Sequence, residues 1–137
     1  MEIVKRLKVP ASYFFTKVVE SIVMDIKQST GDSLALEELA GCEYEKKYPN
    51  GQRVKIRIIE LVKDKTYTFE TSNARNVFVS SYEIKTLDEG SCEIHYSETV
   101  ESHGTLNKVN DALVGFMFGF FKKKQFKKML EQVEASY

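Results

Sequence analysis

Between Ala112 and Phe121 the chain runs ten residues without a charge, carrying four phenylalanines and two glycines inside one long pattern of helical period. A helix apolar on all sides has to be enclosed, and this run falls short of the roughly 20 residues that a bilayer-spanning helix needs. Lys122, Lys123 and Lys124 then stop it. The expected enclosure is the protein's own sheet, which must present a broad apolar face to a single helix.

From Cys42 to Ser102 the apolar period changes to two, with turn residues at Pro49-Asn50-Gly51, Lys63-Asp64-Lys65, Ser72-Asn73-Ala74 and Asp88-Glu89-Gly90. Five strands fit, near 43–48, 52–62, 66–72, 77–87 and 91–102. Links this short leave no room for parallel crossovers, so the strands form an antiparallel meander. Alternation assigns Val54, Ile56, Ile58, Tyr67, Phe69, Phe78, Tyr82, Ile84, Cys92, Ile94, Tyr96 and Val100 to the inward face. Arg53, Lys55 and Arg57 fall outward, where Thr66, Thr68 and Glu70 of the next strand can pair with them. A cross-paired, solvated row of this kind argues against nucleic acid as a partner. Ile58-Ile59 interrupts the alternation and predicts a bulge, which bends the sheet.

Glu2 to Val9 alternates as a first short strand, with Ile3, Leu7 and Val9 inward beside Lys5. Pro10 ends the pairing, and Ser12 is placed to cap a helix that runs to about Gln28 with Phe14, Val18, Ile22 and Ile26 at every fourth position. After the turn at Ser29–Asp32, Ser33 can cap a second short helix carrying Leu34, Leu36 and Leu39, which Gly41 stops. The last helix starts after Gly104 with Thr105 as cap. Its stripe takes in Leu106, Val109, Leu113, Phe116, Met117, Phe120, Met129, Leu130 and Val133. At ~1.5 Å per residue this helix is roughly 45 Å long, against ~33 Å for a ten-residue strand. Its Lys-rich end is therefore expected to project past the sheet.

One domain over residues 1–137 is expected, because a chain of this length can bury one core. Twenty basic side chains cancel twenty acidic ones, so net charge gives no pull towards nucleic acid or an anionic membrane. Cys42 and Cys92 lack the spacing of a metal knuckle or redox pair, and the chain begins without a basic, apolar leader. Together these features predict a cytoplasmic protein with two reduced thiols, a disulfide being possible only if the strands carrying them adjoin.

The order strand, two helices, antiparallel meander and long C-terminal helix packed in a curved sheet resembles the α+β helix-grip fold of the START-like (SRPBCC) superfamily, over the whole chain. The opening Lys8-Val9-Pro10-Ala11-Ser12 is similar to the strand-to-helix junction common there. The segment Gly115-Phe116-Met117-Phe118-Gly119-Phe120-Phe121-Lys122-Lys123-Lys124 resembles a small bacterial family of unknown function within the superfamily. The resemblance implies a sheet wrapped round the last helix with an apolar cavity between them. Members include lipid and hormone carriers, aromatic cyclases and chaperone activators, so the fold does not decide the function. Six strands where seven are usual, and no tryptophan, imply a cavity that is smaller or largely filled.

Tyr67, Tyr82 and Tyr96 offer hydroxyls along an otherwise carbon-lined face, where they either orient a ligand or pack with their hydroxyls at the rim. Glu60 and Glu98 share the inward phase, and an acid held in an apolar cavity has a raised pKa and can carry protons; at a strand end or beyond a bulge it is simply solvated. His95 lies outward and His103 in a linker. No metal set, nucleophile elbow or Gly-rich phosphate cradle is present, and no cofactor is implied. Gly115 and Gly119 on the last helix make room for a bulky sheet residue or a ligand. The lysines from Lys122 to Lys128 read as a solvated helix end in preference to a membrane contact.

Three readings follow. The first is a non-enzymatic binding protein for a small apolar or amphipathic molecule, held by Phe69, Phe78, Tyr82, Ile94, Tyr96, Leu113, Phe116, Met117 and Phe120. The second is a cyclase- or dehydratase-like enzyme using Glu60, Glu98 or a tyrosine as proton carrier. The third is an interaction or regulatory module that contacts a protein partner or forms a homodimer.

Overall fold

The computed structural model describes residues 2–48, 51–74, 76–102 and 124–137. β1 (Glu2–Leu7) leads into α1 (Ala11–Thr30) and the short α2 (Leu36–Leu39), followed by β2 (Glu43–Lys47), β3 (Arg53–Val62), β4 (Thr66–Ser72), β5 (Asn76–Asp88) and β6 (Ser91–Ser102). Residues 124–135 form a further helix, α3. The strands make one six-stranded antiparallel sheet in the order β1-β6-β5-β4-β3-β2. The meander is thus in chain order, and β1 adds to its far edge beside β6. With β1 and β2 at opposite edges, the two-helix link between them must cross the sheet. α1 has 20 residues, about 30 Å at ~1.5 Å each, and five interstrand steps of ~4.8 Å come to roughly 24 Å. One helix therefore suffices to reach from edge to edge.

The core records that crossing. At the β1 end, Phe14 and Phe15 of α1 join Leu7, Val9, Ile84, Cys92, Ile94 and Leu130. At the β2 end, Ile22 and Ile26 join Leu39, Tyr44, Val54, Ile56, Ile58 and Tyr67. Val18, Val19, Leu61 and Tyr82 touch both clusters. Each fully buried Leu, Ile or Phe side chain contributes about 1.5–3 kcal/mol. At the β2 edge, Asp25 of α1 accepts hydrogen bonds from Tyr44 Oη at 2.5 Å and Lys46 Nζ at 2.7 Å, which ties the helix to the edge strand.

The helix starts differ from expectation. α1 is led by Pro10, whose extended backbone (φ −62°, ψ 150°) is followed directly by helix, and no side chain caps it. Ser12 lies inside the first turn, and its carbonyl accepts from Thr16 Oγ1. The ring-fixed φ of proline decides the start in place of the serine cap. α1 ends at Gly31, whose left-handed φ of 83° lets its N–H return to Lys27 O. α2 begins after Ala35, not at Ser33, and the Glu38 carboxylate accepts the Ala35 N–H.

The expected bulge is present: pairing passes from Ile58↔Phe69 to Glu60↔Thr68, leaving Ile59 as the extra residue. An inserted residue reverses the phase of everything after it. Leu61 therefore turns inward, and Glu60 is exposed on the outer side, accepting from Thr66 Oγ1. In the outward basic row Arg57 stands opposite Glu70 of β4 as expected, whereas Lys55 pairs with Glu43 and Arg53 lies near Glu45, both on β2. Val100, expected inward, is exposed.

The C-terminal end also corrects the expectation, because the Lys-rich helix packs along the sheet and does not project past it. Phe126, Leu130 and Val133 continue the stripe at intervals of four and three and dock on the β1-end cluster, with Leu130 fully buried. Lys124, Lys127, Lys128 and Met129 are exposed. Polar clasps complete the docking: Lys5–Glu131, the Lys8 N–H to Glu134, and Tyr13 Oη with Ser136 Oγ at 2.8 Å. Cys42, next to β2, and Cys92, on β6, are free thiols well apart in the sheet.

Candidate ligand-binding site on the inner sheet face

Strand register and the docking of α3 bring five rings into a continuous ladder. Tyr67 pairs with Tyr82 and Tyr82 with Tyr96, so three tyrosines line up across β4, β5 and β6 on the inner face. Tyr67 stacks on Phe69 at 4.9 Å and on Tyr82 at 5.7 Å. Tyr82 meets Tyr96 edge-on at 4.9 Å, and Tyr96 stacks on Phe126 of α3 at 4.2 Å. Phe14 approaches Tyr82 from α1. Tyr82 is the hub of this ladder and joins the two halves of the core.

A polar line borders the rings. Ser80 and Glu98 face each other in register, one step along the strands from Tyr82 and Tyr96. Tyr96 Oη lies 2.6 Å from Glu98 Oε2 and 3.3 Å from Ser80 Oγ. A phenol has one proton, so the short contact takes it, and the Ser80 hydroxyl donates to Tyr96 Oη. Ser80 is a buried polar residue at 3 % exposure. Burial pushes the Tyr67, Tyr82 and Tyr96 phenols upward, with the Glu98 charge adding to it at Tyr82 and Tyr96. All three remain protonated at neutral pH. Tyr67 and Tyr82 can donate hydrogen bonds to a bound oxygen or nitrogen, the Tyr96 proton is already held by Glu98, and none of the three is a base.

Of the expected lining residues, Phe69, Tyr82 and Tyr96 come together in the ladder. Phe78 shares their face two residues before Ser80 and is half-buried. Ile94 is fully enclosed in the β1-end core, beneath the site and not on its surface. Leu113, Phe116, Met117 and Phe120 lie outside the described residues, as do Thr105, His103, the Gly115/Gly119 pair and the Pro49-Asn50 turn. Of the two candidate acids, Glu98 sits on the polar line and Glu60 is on the opposite side, past the bulge. Ser80 and Phe126 are absent from the expected lining. Ser80 holds the inward phase between Phe78 and Tyr82, and Phe126 lies four residues before Leu130, so strict periodicity marks both.

A second concave surface is lined largely by charged side chains. This cleft of about 620 Å³ lies between β1, the β5–β6 turn and α3, with Lys5, Arg6, Lys8, Asp88 and Glu134 among its lining residues. Outside, the Glu93 carboxyl is held below its usual range by His95 and Arg6. Among the described residues no group of three metal-ligating side chains converges, and no helix is long and apolar enough to cross a membrane.

Solved structures share this architecture. A conserved protein from Geobacillus kaustophilus aligns over 98% of this chain and 95% of its own at 10% identity, with a TM-score of 0.60. Norcoclaurine synthase from Thalictrum flavum, in complex with dopamine and hydroxybenzaldehyde, aligns over 98% of this chain and 83% of its own at 10% identity and TM-score 0.63. For Ara h 8.0201 the figures are 99%, 95%, 15% and 0.62. Identities this low establish the fold alone, a helix-grip α+β fold. No curated protein matches the chain. The model of one family, described as a domain of unknown function (DUF3284), matches residues 1–119, and the chain belongs to that family.

Proposed function

We propose that this chain, folded as one START-like domain over residues 1–137, is a non-enzymatic cytoplasmic protein that binds a small apolar or amphipathic molecule on the inner face of its sheet. The observation that carries the reading is the five-ring ladder bordered by Ser80, Tyr96 and Glu98. An apolar wall with a few convergent polar groups is what a small-molecule site requires: carbon surface for affinity, oxygens for orientation. Phenols held protonated favour hydrogen-bond donation over proton abstraction, which supports binding ahead of catalysis. Phe69, Phe78, Tyr82 and Tyr96 supply the sheet side of the site, and Leu113, Phe116, Met117 and Phe120 are proposed for the helix side.

Native mass spectrometry of protein isolated from its own host tests this reading, alongside a small-molecule extract of the same sample after denaturation. A stoichiometric adduct released on unfolding is the expected result. A bare mass that stays bare after incubation with a lipid and metabolite extract of that host refutes it.

A further inference from the structure

We propose that Phe126 sets the size of the molecule that the Tyr67–Tyr82–Tyr96 face accepts. This rests on the binding reading above and adds a specificity-determining residue to it. Phe126 lies past residue 119, where the family match ends, yet it brings a ring onto the ladder from outside the sheet. Phe126 stacks on Tyr96 at 4.2 Å with planes 26° apart and stands 5.6 Å from Tyr82. It therefore occupies the stacking position over the β5–β6 end of the ladder. A molecule lying on these tyrosines has to stop at that ring or push it aside.

Pushing it aside is resisted by the way the helix is held. One turn on, Leu130 is fully buried among residues of β1, α1, β5 and β6. Beyond it, Glu131 pairs with Lys5, Glu134 accepts the Lys8 N–H, and the Tyr137 ring lies 4.7 Å from Tyr13. These anchors sit C-terminal to Phe126 and do not involve its ring, so the ring can be trimmed while its backbone stays docked. Phe126 is then a fixed wall, and its volume decides how far a ligand extends along the ladder.

The test uses 4-alkylphenols of increasing chain length, whose hydroxyl suits the Ser80–Tyr96–Glu98 line, with binding read by calorimetry on the full chain. Each methylene accommodated is worth about fourfold in affinity. Wild-type affinity should climb with length and then stall. Phe126→Ala should move the stall at least two methylenes outward and strengthen the longest probe about tenfold or more, and Phe126→Trp should move it inward. Phe126→Leu serves in place of alanine if that variant fails to fold, and Met129→Ala, exposed on the same helix, should keep the wild-type profile. An unchanged profile in folded Phe126→Ala or Phe126→Leu, with wild type binding, overturns the role of Phe126 and leaves the binding reading standing. Absence of binding by every protein to every phenol overturns both.

Discussion

Replacing Leu130 by alanine tests whether the C-terminal helix is docked as described. The side chain is fully buried, within the core cluster that also holds Leu7, Val9, Phe14 and Ile94. A leucine truncated in such surroundings leaves a cavity and typically costs about 3 kcal/mol, within a range of roughly 2.7–5. Met129, its neighbour, is 36 % exposed, and its truncation should cost under about 1 kcal/mol. With a urea slope of about 1.5–2 kcal/mol per molar, Leu130→Ala should lower the unfolding midpoint by roughly 1.5–2 M, whereas Met129→Ala should leave it nearly unchanged. Amide exchange adds a second reading. The amides of α3, and those sheet amides that exchange only by global unfolding, should lose protection by up to the same free energy. Equal midpoint shifts for the two variants, or a larger one for Met129→Ala, would refute the orientation of the helix on the sheet.

Other outcomes follow from the same contacts. Tyr44→Phe removes the hydroxyl bonded to Asp25 while Lys46 still pairs with that carboxylate, and a thermal melt should show a loss of about 1–2 kcal/mol; Glu45→Ala, which breaks only an exposed pair with Arg53, should stay within about 0.5 kcal/mol. Burial pushes the Cys92 thiol up to about 11, so the folded chain keeps a proton that the unfolded chain releases. Stability should therefore fall as pH rises from about 9 through 11, and in a Cys92→Ala variant that part of the slope should vanish. At neutral pH a thiol reagent should modify half-buried Cys42 well before Cys92, whose labelling should follow global unfolding.

Most of the sheet was legible because its signals are local. Alternation and turn residues located all five meander strands within two residues, and the doubled isoleucine marked the bulge. The far side of that bulge was not legible from a phase count, since one inserted residue turns Glu60 out and Leu61 in. Charge density was an incomplete guide at the other end. Lys124, Lys127 and Lys128 are exposed, as a solvated helix end requires, but Phe126, Leu130 and Val133 of the same helix share one stripe that docks on the core. Ser80 was passed over as a polar residue in an apolar phase, although its partner, the Tyr96 hydroxyl, comes from the neighbouring strand. The Tyr44–Asp25–Lys46 tie joins residues about twenty apart in sequence, and only the crossing of α1 to the far edge brings them together. The helix cap followed proline's fixed dihedral, a stronger local constraint than a serine hydroxyl.

The seven tyrosines of the chain provide the most direct test of the central claim that a small molecule sits on the inner ladder. Carbon-13 labelling at the tyrosine ring, with assignment by single Tyr→Phe variants, separates Tyr67, Tyr82 and Tyr96 from Tyr13, Tyr44, Tyr48 and Tyr137. Titration with the best-bound 4-alkylphenol should shift the resonances of the first three and leave the other four in place. Shifts confined to Tyr13 and Tyr137, or to Tyr44 and Tyr48, would put the ligand elsewhere and contradict the account.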